Sequence, residues 1–424
     1  MHRIPRTHVR LWQCLAAAVW AACAQAAQAQ ALLPAPAAAG LRQAFEAAWA
    51  RHPEALALQA RRDAARARQE AARAWTPEPA ALELSSKTDR LGSNQGMREL
   101  DAGVAVPIWL PGERSRSAAL AEAEGAVLES RTTAAQLRVA ATVRGAWWTW
   151  QRAHLDAEIA RDQLDNTRRL SADVARRLKA GDLARADQHQ AEGAVAAAES
   201  ALAQAQAALT TARLQLRAIT GLPSPSPGTT GTVPATEAEP TAAEVAADTH
   251  ATLLELQARS TLAERAAALA AAQSRANPEL TLSASRERSA FGEAYGQAIT
   301  LGVRIPFGGG PRHDLRVANA RADAVEAQAQ WAFERERLAA ERDAARAQAD
   351  AARVQLAAAE RRARLAAESR GFFDKSFRLG DTDLPTRLRI EAEAGEAERQ
   401  AARARNELAA ALSAWRQALG LLPQ

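Results

Sequence analysis

Beyond its first 29 residues the chain has no cysteine: Cys14 and Cys23 are the only two, and both lie in that N-terminal segment. Disulfides, thiolate metal sites and cysteine nucleophiles are therefore excluded from the remainder. Aromatic residues are scarce, at 4%. Ala, Arg, Glu and Gln dominate instead, a composition that favours long helices over ordinary globular packing. Single-sign charge blocks are missing too. Setting aside Arg3, Arg6 and Arg10 leaves 51 basic residues (54 − 3) against 49 acidic ones, and these are interspersed, so nucleic-acid binding has no support. Catalytic constellations are absent as well. His52, His154, His189, His250 and His313 make no metal-ligand spacing. Gly308-Gly309-Gly310-Pro311 is followed by no Gly-Lys-Ser/Thr, so it is a turn into a helix rather than a phosphate loop. The expectation is a chain that is not an enzyme and has no cofactor and no resident metal.

Long hydrophobic runs are also lacking. The apolar run Leu15–Ala22 is well short of the ~20 residues a membrane-spanning helix needs. With the preceding arginines and the Ala24-Gln25-Ala26 and Ala27-Gln28-Ala29 triplets, residues 1–29 read as a secretory signal peptide. Trp20-Ala21-Ala22-Cys23 resembles a bacterial lipobox, with Trp20 where an aliphatic residue is expected.

What is present is written twice. Val104-Ala105-Val106-Pro107-Ile108-Trp109-Leu110-Pro111-Gly112-Glu113-Arg114 reads as an alternating strand, a proline turn and the start of a long charged helix. The same sentence returns at Leu301–Arg312, and Pro107 and Pro306 lie 199 residues apart. Gly181-Asp182 returns as Gly380-Asp381, and Gly221 as Gly420. The spacing predicts a first repeat over 30–221, a Pro-rich linker over 222–243 and a second repeat over 244–424. Within the first repeat, Leu41 to Ala74 is expected to be helical, followed by strands at 80–87 and 98–109. A helix of roughly 100 Å then runs from Gly112 to about Lys179, at ~1.5 Å per residue, with Leu120, Val127, Ala134, Ala141, Trp148 and Leu155 recurring every seventh residue. A return helix closes the repeat at Gly221. The second repeat places strands at 279–287 and 295–307 and its long helix from Pro311 to about Phe377.

The return helices share a 4-3-4-3 seam. It runs through Ala191, Val195, Ala198, Leu202, Ala205, Leu209, Ala212, Leu216 and Ile219. It runs again through Ile390, Ala394, Ala397, Ala401, Ala404, Leu408, Ala411, Trp415 and Ala418. Trp147, Trp148 and Trp150 are read as packing residues, and His52 and His250, repeat-equivalent, as sharing one structural post. Strands of about ten residues match the length that crosses an outer membrane when tilted. The lipid-facing sets would be Ala102, Val104, Val106 and Ile108, and Ile299, Leu301, Val303 and Ile305. Four strands cannot close a barrel alone, so spanning requires oligomerisation.

The two-repeat order, the strand–Pro–Gly–helix junctions (Pro107, Gly112; Pro306, Gly310) and the Gly-centred helix turns resemble the TolC-type outer-membrane efflux factors. That resemblance implies a mainly α fold with a small β part. Long coiled-coil helices would form an α-helical barrel, and four strands per subunit would contribute to a trimeric twelve-stranded transmembrane β-barrel. It also implies the partners: a homotrimer in outer-membrane lipid, a periplasmic adaptor and an inner-membrane RND-type pump. Val106–Ser115 is similar to the heavy-metal branch of that family. The segments around Gly181 and Gly380 resemble the tips that meet the adaptor, with Asp182, Asp187, Asp381 and Asp383 as the acidic candidates. The second tip departs from the pattern: Thr386 stands six residues after Gly380, where the first copy has Asp187. Acidic residues beside a helix N-terminus are read first as caps. The expected function is a passive exit duct for heavy-metal cations. The alternatives are a soluble periplasmic coiled-coil scaffold, a periplasmic adaptor, or the same duct serving drug efflux.

Overall fold

The computed structural model describes residues 40–181, 184–223, 237–246, 249–308, 310–379 and 381–424. The expected signal peptide, both cysteines, Asp182, Gly380 and residues 224–236 of the expected linker lie outside these.

Among the described residues the order is α1 (Leu41–Arg51), α2 (Pro53–Ala72), β1 (Ala81–Thr88), β2 (Arg98–Pro107), α3 (Glu113–Ala180), α4 (Arg185–Thr220), α5 (Ala242–Ala246), α6 (Ala251–Ala272), β3 (Glu279–Arg288), β4 (Gly296–Arg304), α7 (Gly310–Leu379) and α8 (Leu384–Ala418). The fold is mainly helical. Its four strands form one antiparallel sheet in the order β1-β2-β3-β4, so the two hairpins join through β2 and β3. Ala81 faces Ala105 in the first, and Glu279 faces Arg304 in the second.

The expected helix 41–74 is interrupted. Pro53 excludes its predecessor from helical backbone, so His52 turns extended and ends α1. His52 then caps α2, its Nδ1 accepting from the Glu54 N–H at 3.3 Å. His250 does the same for α6, accepting from the Thr252 N–H at 3.3 Å. The two histidines thus hold one structural post in both repeats.

Strands β2 and β4 end earlier than the expected limits, at Pro107 and Arg304, so Ile108 and Ile305 lie outside them. Pro107 and Pro306 have no N–H for the ladder. One bond continues past β2, from the Ile108 N–H to the Pro278 carbonyl at 2.7 Å.

The 4-3-4-3 seams of α4 and α8 are buried or half-buried at every position, α4 packing on α3 and α8 on both α7 and α3. The strict seventh-residue seam of α3 does not hold, since Ala141 is exposed. Its buried line passes instead through Val143, Trp147, Trp150, Ala157, Leu164, Thr167 and Val174. A helix of 3.6 residues per turn drifts from a 3.5 repeat, and α3 meets different neighbours along its length. Around its middle, Trp147, Trp148 and Trp150 are covered by Leu41, Phe45 and Ala48 of α1 and by Leu216 of α4. The packing role of the tryptophans holds.

The expected linker 222–243 is not free at its second end. Glu237 and Pro240 are buried and α5 begins at Ala242.

Candidate functional site

Strand alternation puts every second side chain on one face, and the register carries that division across all four strands. One face stacks the rungs Leu82–Val104–Leu282–Leu301 and Leu84–Ala102–Ala284–Ile299, with Val106–Leu280–Val303 below them. These side chains are largely exposed. The other face stacks Glu83–Gly103–Ser283–Thr300 and Ser85–Asp101–Ser285–Ala298. It is polar and crowded: a Cβ on Gly103 would meet the Ser283 Cβ at 2.9 Å. A four-stranded sheet with an uncovered apolar face and edge strands β1 and β4 unpaired is incomplete on its own.

At the first strand-to-helix junction, Gly112 takes the left-handed conformation (φ 74°) that turns the chain into α3. The next residue organises the site. Glu113 is 2% exposed, and its carboxylate accepts from the Leu110 N–H (3.0 Å), Gln273 Nε2 (2.8 Å) and Asn277 Nδ2 (2.7 Å). Asn277 Nδ2 also donates to the Ile108 carbonyl at 3.2 Å. The exit from β2 is thereby stitched to the segment that leads into β3. At the second junction the 199-residue equivalent of Glu113 is Arg312, which cannot accept, so among the described residues no such stitch forms there. Pro306 lies just beyond β4, and Gly310 opens α7.

At the first tip, Gly181 is left-handed (φ 86°) and its N–H returns to the Arg177 and Leu178 carbonyls, ending α3. Asp187 accepts from the Ala184 N–H at 2.9 Å, which caps α4. At the second, the Asp381 N–H donates to the Ser376 carbonyl at 3.0 Å. Asp383 occupies the N-cap position of α8, yet its side chain makes no capping bond. The capping role therefore fits Asp187, while the exposed Asp381 and Asp383 are not used by a side-chain cap. Thr386 carries no charge and Arg387 faces inward. The Arg177 and Arg387 guanidiniums both lie over the buried Phe377 ring, at 4.3 and 4.5 Å from its centre. Arg387 pairs with Asp374 at 2.9 Å, and Arg177 with Asp173 at 3.5 Å. Sequence reasoning had no signal for this cluster, since its members lie on separate helices. Beside it runs a groove of about 810 Å³ between α3, α4, α8 and the end of α7, lined in part by Arg169, Asp173, Arg378, Arg389 and Glu391.

His154 stacks on Trp150 (5.9 Å between centroids), His189 lies 4.0 Å from Glu192, and His313 sits in the first turns of α7. Among the described residues no group of His, Cys, Asp and Glu could hold a metal ion. No described helix is long and apolar enough to cross a membrane.

Residues 44–222 match the family of outer membrane efflux proteins. No curated protein sequence is significantly similar to the chain. Solved structures resemble it over nearly all its length. The outer membrane protein VceC of Vibrio cholerae is 19% identical with a TM-score of 0.70, over 90% of this chain and 96% of that one. CusC, described for its folding and transmembrane channel formation, is 16% identical with a TM-score of 0.74, over 92% and 96%. The open state of the Neisseria gonorrhoeae MtrE outer membrane channel is 16% identical with a TM-score of 0.71, over 92% and 93%. Residues 44–222 thus carry the sequence pattern of the outer membrane efflux proteins, and over 90–92% of its length the chain shares the fold of these solved outer membrane proteins.

Proposed function

We propose that three copies of this chain form the outer-membrane exit duct of a tripartite efflux system. The duct conducts substrate passively from an inner-membrane RND-type pump and a periplasmic adaptor to the exterior. The observation that carries this reading is the sheet, with one apolar face, one polar face and two unpaired edges. Three such sheets, joined edge to edge, close twelve strands with the apolar face toward lipid and the polar face toward the lumen. A second feature supports self-association. Leu315, Val325, Phe333, Val354, Leu365 and Phe372 of α7 are all exposed, and helical periodicity places them on one stripe. The adaptor meets the tips around Gly181, Asp182, Gly380, Asp381 and Asp383. The junctions at Pro107, Gly112, Pro306 and Gly310 pass the barrel wall into the helices.

The substrate is assigned to heavy-metal cations from the likeness of Val106–Ser115 to the metal branch of the family. The test is growth inhibition of a deletion strain across divalent cations, monovalent copper and silver, and hydrophobic drugs, with membrane fractionation in parallel. Sensitivity confined to metals supports the whole reading. Sensitivity to drugs alone keeps the duct and removes the cation assignment, and a soluble protein without trimers removes the duct.

A further inference from the structure

The loop end of the sheet carries a charge arrangement that the conduit does not explain. Arg98 of β2 faces Arg288 of β3 directly across the ladder, and like charges so placed are destabilising. Arg286 is two residues from Arg288, on the same face. All three therefore follow the rungs Leu84–Ala102–Ala284–Ile299 and Leu100–Arg286 on the apolar side of the sheet. The nearby carboxylates are engaged elsewhere. Glu99 and Glu287 alternate to the opposite face, where Glu99 meets Lys87 at 3.7 Å. Asp89 accepts from the Gln95 and Gly96 N–H groups, and Glu293 from those of Ser289 and Ala290. Among the described residues, none of the three guanidiniums has a carboxylate partner. Instead the Tyr295 ring, the only tyrosine of the chain, lies 4.5 Å from the Arg286 guanidinium and 5.1 Å from that of Arg288. Arg288 Nε is fixed by the Gly96 carbonyl at 3.1 Å.

We propose that Arg98, Arg286 and Arg288 form a site for the phosphorylated headgroups of lipids in the outer leaflet. This inference rests on the reading of the apolar face as lipid-facing. Given that reading, the cluster sits where the hydrocarbon band ends, beside a tyrosine of the interfacial kind. Guanidinium forks match phosphate oxygens in bidentate geometry. A bound phosphate would also relieve the Arg98–Arg288 opposition, and basic groups at such depth recognise anionic headgroups.

The test uses the full chain purified in detergent and titrated with fluorescent lipid A carrying both phosphates. Saturable binding is expected, weakened roughly a hundredfold in the Arg98→Gln/Arg286→Gln/Arg288→Gln variant, with partial retention in the corresponding triple Lys variant. Dephosphorylated lipid A should bind the unaltered protein as weakly as the Gln variant binds the phosphorylated lipid. That arm does not depend on a variant folding. Equal binding of both lipid forms, or no loss in the Gln variant, overturns the proposal. Displacement of the lipid by dilute inorganic phosphate overturns the lipid headgroup in favour of a free anion. Membrane fractionation of the unaltered protein checks the lipid-facing reading separately, before any lipid is added.

Discussion

Arg144 and Glu237 form a buried two-point ion pair, with Nη2–Oε1 at 2.6 Å and Nε–Oε2 at 3.0 Å, where the chain between the repeats returns to the helices. Arg144 belongs to α3. The same carboxylate receives the Ser413 hydroxyl of α8 and lies 3.6 Å from Arg416 Nε. Arg144 Nη1 also donates to Gln417 Oε1 (2.6 Å) and the Leu421 carbonyl (2.9 Å). One glutamate thus holds a helix of each repeat.

Replacing Glu237 by Gln keeps the shape and leaves two buried guanidiniums without their shared counter-charge. Breaking a buried pair in this way costs about 3–5 kcal/mol. The thermal midpoint of helix loss, followed by far-UV circular dichroism, should fall clearly. Glu46→Gln, which removes the exposed Arg42–Glu46 pair, should leave it within error. Equal midpoints for Glu237→Gln and the unaltered protein would remove the clamp.

His250 gives the fold a pH dependence. Burial holds its imidazole below the ordinary value of 6.5, against the opposing influence of Glu341 and Glu334. The unfolded chain titrates near 6.5 and so binds more protons than the native state just below that pH. Stability from this group is therefore complete above about 6.5 and declines as pH falls toward the native value. Asn caps helices without titrating, so His250→Asn should flatten the fall in thermal midpoint between about pH 7.5 and 5.5. An unchanged slope in His250→Asn would assign the dependence to other groups.

Glu113 shows where sequence reading stops. The duplication, the two return seams and the division of the strands into faces were legible because each repeats at a fixed period. Glu113 sits in the quoted junction motif, but nothing local marks it as buried. Its partners Gln273 and Asn277 lie 160 and 164 residues away. Glu237 is hidden for the same reason, as its partners Arg144 and Ser413 are 93 and 176 residues distant. In a chain with 24% charged residues, a glutamate in a helix or linker reads as solvated. The Pro53 break was written in the sequence, and helical periodicity on both sides obscured it.

Glu113→Ala removes one acceptor from three donors at once. At about 1–3 kcal/mol for each buried donor left unsatisfied, the loss should exceed that from any single cap. Asn277→Ala should cost less, since Gln273 and the Leu110 N–H keep their acceptor. Hydrogen exchange at the Ile108 N–H, which donates to the Pro278 carbonyl, reads the effect locally. Faster exchange is expected in both variants, more so in Glu113→Ala, and unaltered protection would refute the stitch.

The acidic tip residues divide by what their side chains already do. Asp187 caps α4, so Asp187→Ala should lower stability by about 1 kcal/mol and leave adaptor crosslinking intact. Asp381 and Asp383 are exposed and cap nothing with their side chains, which leaves them available to a partner. Asp381→Lys/Asp383→Lys should reduce crosslinking to the adaptor severalfold without loss of trimers. Crosslinking that follows Asp187 instead would make Asp187 the acidic adaptor contact in place of Asp381 and Asp383.

The stripe on α7 tests assembly most directly, because its residues contribute little inside one chain. Phe333 and Val354 are 70% and 72% exposed, so Phe333→Glu and Val354→Glu should leave the helical circular dichroism of the monomer intact. In a trimer each would desolvate a carboxylate where an apolar side chain had been worth about 1.5–3 kcal/mol. Trimers should therefore be lost on size-exclusion chromatography with light scattering, at unchanged helicity. Ala397→Pro provides the contrast. Ala397 is 0% exposed, and a proline inside α8 costs about 3 kcal/mol or more, so helicity and trimers should fall together. If the α7 variants remain trimeric, the stripe is not an interface between copies, and the contact must be sought at the strand edges and along the exposed side of α4.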